Sequence, residues 1–210
     1  MTYNPYGYGE PRKAWWSSPT MLLILANAIV FLAMAVSGDY VGDCTSLICE
    51  VLVQQNSLVL AGAYWQLFTS MFVHFGPIHL IFNMFALYYF GRMDESAFSK
   101  GSFLAIYFVS GLLGSLMTLF LMTPDTVSGG ASGAIFGLVG AYVAVARRAQ
   151  HMGVALVYAV FLFIQSSILP GVNIYAHLFG LVGGLALGLL FSPRRHPAPG
   201  GYDYSYTFTS

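Results

Sequence analysis

The chain has 210 residues, 57% of them hydrophobic and 8% charged, with a mean hydropathy of +0.70. That leaves too little polar surface for an ordinary soluble globule, and with eight basic against eight acidic residues no nucleic-acid partner is expected. The composition is that of an all-α integral membrane protein in contact with the lipid bilayer, in which every polar group inside an apolar stretch needs a reason.

Residues 1–19 form a Tyr/Pro/Gly arm and residues 192–210 a Pro/Gly/Tyr-rich tail. Neither offers an apolar face of helical or strand period, and both are expected to be disordered. Between them lies one core, 20–191, with apolar segments at 20–37, 77–91, 102–122, 131–146, 152–169 and 173–191. These predict six spanning helices of about 15 to 21 residues. The second and fourth are short, as fits a thin bilayer or helices that begin below the surface beside a water-filled cavity. No cleavable signal is expected, because acidic residues rather than a small-residue cleavage site follow the first apolar run.

Six spans put every base on one face: Arg12 and Lys13, Arg92 and Lys100, Arg147 and Arg148, Arg194 and Arg195. The opposite loops carry Asp39, Asp43, Glu50 and Asp125 and no base. Positive loops are retained in the cytoplasm, so both termini are expected there, in a multi-pass protein of the cell membrane.

The first external loop, 37–76, is far longer than a tight turn and carries Trp65, Phe68, Met71 and Phe72. It is expected to be partly membrane-embedded, folding against the helices or lying at the interface, with short helices of its own. Cys44 and Cys49 lie within it. An oxidising exterior permits a disulfide between them, and two free thiols are the other reading; a structural zinc needs more ligands than this pair supplies.

The chemistry sits deeper. Ser132, in Gly129-Gly130-Ala131-Ser132-Gly133-Ala134, begins the fourth apolar segment, and His177 lies in the sixth. A serine attacks a carbonyl only if a base takes its proton. Both residues follow external loops, His177 by about four residues or roughly 6 Å of helix, so their depths match. Gly133, Gly137 and Gly140 on one segment and Gly180, Gly184 and Gly188 on the other would let the two backbones approach.

His79 and Asn83, four apart, share one face of the second helix, with Asn83 about 9 Å below Pro77. Both are costly in lipid without partners. An Asn amide, a His ring and a backbone N–H after a glycine-rich turn could together stabilise an oxyanion. Asp and Glu are absent from all six apolar segments, so the expected machinery is a Ser/His dyad rather than a triad. Phe136, one turn after Ser132, could pack its ring on the imidazole. His74 is expected to hold the first loop, and His151 and His196 to be solvated. No metal or organic cofactor is expected.

Three motifs, His79-Leu80-Ile81-Phe82-Asn83, Gly130-Ala131-Ser132-Gly133 and Ala176-His177-Leu178-Phe179-Gly180, resemble those of the rhomboid family of intramembrane serine proteases, in the family's order and across the six-span core. The resemblance implies a six-transmembrane-helix rhomboid-like bundle with Ser132 as nucleophile and His177 as general base and acid. It also implies an oxyanion hole from the side chains of His79 and Asn83 and the backbone N–H of Ser132. Implied substrates are single-span transmembrane proteins, cut near the outer face through an acyl-enzyme. Family members often carry Tyr where Phe136 stands and Arg where Gln66 stands, in Tyr64-Trp65-Gln66-Leu67-Phe68-Thr69.

The alternative is a noncatalytic rhomboid-like binder of transmembrane helices, which would have no reason to keep Ser132 and His177 together. A small transporter is disfavoured by the lack of carboxylates in the spans and of an evident repeat. For the protease, the first loop and residues 165–173 are expected to cover a polar cavity, with lateral substrate access near the fifth helix.

Overall fold

The structure, a computed structural model, describes residues 15–39, 44–146, 156–157, 160 and 172–192. Among these, five long helices carry the fold: α1 (Pro19–Val36), α5 (Pro77–Ala97), α6 (Lys100–Leu121), α7 (Ser132–Ala146) and α8 (Ile174–Phe191). Most start at residues suited to the task. Ser18, Ser99 and Asn173 accept the backbone N–H of Met21, Ser102 and Ala176, and Pro stands in the first turn of α1 and α5. The expected fifth span, 152–169, the cover at 165–171, both tails, and His151 and His196 fall largely or wholly outside the described residues.

By length and composition α1, α6 and α8 are apolar enough to cross a membrane. A fourth crossing arises if the first-loop segment Gln66–Phe72 and α5, bent by 92°, count as one broken span. Helix α7 is shorter, at 15 residues, hence about 22 Å long against a hydrocarbon core of about 30 Å. Every one of its residues except Ser132, Tyr142 and Val145 is buried, because α5, α6 and α8 surround it. The outer helices turn apolar faces outward: Leu22, Leu25, Ile29 and Leu32 on α1, Ile78, Ile81, Phe82 and Phe85 on α5. Lipid, not water, is the solvent that makes such stripes tolerable.

Helix α5 runs beyond the expected end at residue 91, so Asp94 and Glu95 are helical after all. Glu95 explains the extension. Its carboxylate accepts from Ser18 Oγ at 2.8 Å, from the backbone N–H of Thr20 at 2.8 Å and from Arg92 at 2.6 Å, capping the start of α1 from a neighbouring helix. Both acids stand far from His79, since Asp94 lies about 22 Å along α5 from it.

The first loop is a folded unit containing α2 (Leu47–Leu52), β1 (Gln54–Gln55), α3 (Asn56–Leu60), α4 (Gln66–Thr69) and a 3-10 turn, Ser70–Phe72. Cys44 and Cys49 are joined as a disulfide, and Ser46, which caps α2, donates to Asp39 together with the N–H of Thr45. The last carbonyls of α2 are satisfied by side chains: Gln66 Nε2 donates to Glu50 O, Trp65 Nε1 to Val51 O and Thr69 Oγ1 to Leu52 O. Gln66 is 1% exposed and also accepts from the N–H of Gln55. A neutral amide thus anchors the loop. One feature departs from an all-helical chain: β1 pairs antiparallel with β2 (Val127–Ser128), Gln54 opposite Ser128, a pairing too short to leave a periodic signal.

The closest packing is between α7 and α8. A methyl group built on Gly180 or Gly184 would overlap the carbonyls of Gly133 and Gly137, and one on Gly140 would overlap that of Leu181. No rotamer relieves a clash with backbone, so Gly184→Ala is expected to cost about 1–3 kcal/mol and lower the melting temperature in detergent. Gly101→Ala, where a methyl meets only Ser99 Oγ at 4.0 Å, serves as the control and is expected to be neutral or stabilising.

Candidate active site

Two helix starts converge. Asn173 opens α8, and His177 follows within its first turn, its N–H bonded to the Asn173 carbonyl at 3.3 Å. Ser132 is the first residue of α7, so its backbone N–H is among the donors that an α-helix leaves without an internal acceptor. The glycine contacts draw the two starts together, and Ser132 Oγ lies 2.9 Å from His177 Nε2. The histidine is 4% exposed, while Ser132 is half-buried. The nucleophile candidate is therefore the more accessible of the two. The Phe136 ring stacks on the imidazole, centroids 4.4 Å apart and planes 29° from parallel, as its position one turn after Ser132 predicts.

The segment before Ser132 is held by the first loop. Gly130 N–H donates to Ser70 O at 2.9 Å, Asn56 N–H to Thr126 O at 3.1 Å and Ser57 N–H to Pro124 O at 2.8 Å, alongside the β1–β2 pair. The first loop is thus a wall that fixes the serine approach, in keeping with its length and apolar character.

His79 reaches the site across Gly130. This glycine has φ +140°, a conformation that favours a residue without Cβ, and a methyl there would stand 3.1 Å from His79 Cε1, 3.2 Å from His79 Nε2 and 3.7 Å from Ser132 Oγ. His79 Nε2 and the serine hydroxyl therefore border the same small space. The tautomer follows from the other nitrogen. Phe75 N–H donates to His79 Nδ1 at 3.3 Å, so in the neutral ring Nε2 carries the hydrogen and faces the site as a donor. Asn83 is 7% exposed and gives one N–H to His79 O at 2.9 Å, leaving a second; its bond is to His79, not to Ser132. His74, fully buried, bonds Phe72 O through Nδ1 and tilts its ring over His79 at 5.1 Å. It braces His79 as well as the loop.

Residues 61–194 match the Rhomboid domain family. YdcA of Bacillus subtilis (strain 168) is 34% identical over 147 residues, covering 67% of this chain and 74% of that protein. The chain belongs to the rhomboid family. RHOMBOID-like protein 7 of Arabidopsis thaliana is 37% identical over 224 aligned positions, covering 89% of this chain and 70% of the relative. Rhomboid protease GluP of Bacillus subtilis is 32% identical over 180 positions, but the match spans only 35% of that longer protein. This rhomboid is a multi-pass membrane protein with protease relatives.

Sequence reasoning did not find Asn173, Ser128 or the buried amides Gln54 and Asn56 as parts of the site's framework. Asn173 carried a legible signal, a capping residue directly before an apolar helix. The others depend on contacts between distant segments. Replacing Gly130 with Ala is expected to reduce turnover of a membrane-protein reporter about 100-fold, because the methyl displaces His79 and the new side chain resists the backbone conformation. Turnover at the unsubstituted rate would show that the His79 ring contributes nothing at this position.

Proposed function

We propose that this rhomboid is an intramembrane serine endopeptidase that cleaves single-span transmembrane proteins near the outer membrane face. The observation that carries the reading is the 2.9 Å contact between Ser132 Oγ and His177 Nε2, formed between two helix starts inside an apolar bundle. Neutral His177 takes the serine proton as Oγ adds to the scissile carbonyl. The donors for the oxyanion in this reading are the Ser132 N–H, His79 Nε2–H and the second N–H of Asn83. His177 gives its proton to the leaving amine, an acyl-Ser132 ester remains, and water activated by the same imidazole hydrolyses it. Phe136 holds the ring plane through both transfers.

The accompanying topology in this reading is a six-span core, 20–191, with both termini in the cytoplasm, supported by the one-sided distribution of Lys and Arg. Water reaches Ser132 from the outer side, where the first loop forms a wall.

The test is cleavage of a single-span reporter co-reconstituted with the protein in liposomes, products being identified by mass spectrometry. The unsubstituted protein is expected to yield two fragments cut near the outer face, and Ser132→Ala or His177→Ala to lower the rate at least 1000-fold. Binding of the reporter without cleavage would instead identify a noncatalytic binder.

A further inference from the structure

A capping asparagine needs only its oxygen, and Asn173 uses that oxygen on the N–H of Ala176 at 3.1 Å. Its amide nitrogen remains, and both hydrogens are spent across chain segments. Asn173 Nδ2 donates to Thr118 Oγ1 near the end of α6 at 2.7 Å and to Ser128 Oγ in β2 at 3.0 Å. The direction at Thr118 is fixed, because its own hydroxyl hydrogen goes to Gly114 O at 2.8 Å. Ser128 stands four residues before Ser132 and opposite Gln54 of the first loop. One side chain therefore joins the start of the His177 helix to the segment that delivers Ser132 and to the helix behind both.

We propose that Asn173 is a positioning residue for the dyad, setting the depth and rotation of the first turn of α8 so that His177 Nε2 stays within hydrogen-bond reach of Ser132 Oγ. It rests on the reading of Ser132 and His177 as the working pair. The requirement is local. A serine or aspartate would start α8 as well as asparagine does, but a serine hydroxyl is too short to hold two other segments. The clip matters most while His177 is protonated and must stay in line for the departing amine; an error of about 1 Å in such a geometry costs about 100-fold in rate.

Asn173→Ser keeps a cap and removes the clip, whereas Thr118→Val keeps Asn173 intact and removes one acceptor without changing shape. For each, kcat and KM on a reconstituted reporter and the melting temperature are measured beside the unsubstituted protein and Ser132→Ala. The expected result for Asn173→Ser is a kcat lower by about 10- to 100-fold with KM within twofold, and a melting temperature within a few degrees of the parent. Thr118→Val should show a smaller loss of the same kind, and the double variant should be no slower than Asn173→Ser, since both act through one contact. Full activity of Asn173→Ser, or losses that multiply in the double variant, would overturn the proposal. If Asn173→Ser does not fold, Thr118→Val decides: an unchanged kcat overturns the clip. An unsubstituted protein no faster than Ser132→Ala would instead refute the dyad itself.

Discussion

The structure depends on one contact, the backbone-to-backbone seam between α7 and α8. In a membrane, apolar side chains gain little by leaving lipid for one another, so helix association relies on close packing and on polar contacts. Glycines on both helices remove the side chains that would hold the axes apart, and the carbonyls of Gly133 and Gly137 fill the space next to Gly180 and Gly184. This seam lies at the depth of Ser132 and His177. Without it a hydroxyl and an imidazole on separate helices would have no reason to meet at 2.9 Å.

Several buried amides in this apolar body are stabilised by neutral partners. Gln54 donates to Asn56 Oδ1 and Ser115 O, Asn56 to Thr118 O and Thr123 O, and Gln66 spans Glu50 and Gln55. Amides offer donor and acceptor together without the desolvation cost of a charge. They bind the first loop to α6 and to the chain preceding Ser132, and Asn173 extends the same framework to α8. The ion pair of Arg92 and Glu95, which also bonds Ser18 before α1, lies at the far end of α5, where side chains can reach the interface.

Much of this was legible in the sequence because it is local or periodic. The apolar runs gave the start of every long described helix to within two residues, and matching depths for Ser132 and His177 followed from loop positions alone. The Phe136 stack on His177 followed from a four-residue spacing. What escaped was non-local. No period announces a two-residue pairing of Gln54 with Ser128, and the anchoring role of Gln66 could not be weighed until its two partners were seen. The end of α5 was missed because a window of hydropathy stops at Arg92, whereas the helix continues to satisfy α1 through Glu95. The role of Asn173 escaped for the same reason, since the use of its nitrogen depends on segments 45 and 55 positions away in sequence.

The central claim, that Ser132 is a nucleophile activated by His177, is tested most directly by locating a covalent adduct. Purified protein is treated with a fluorophosphonate, digested and mapped by mass spectrometry. The account predicts one phosphonyl group, on the peptide containing Ser132, strongly reduced when His177 is replaced by Ala. An adduct on a different serine, or on Ser132 at an undiminished rate without His177, would contradict it.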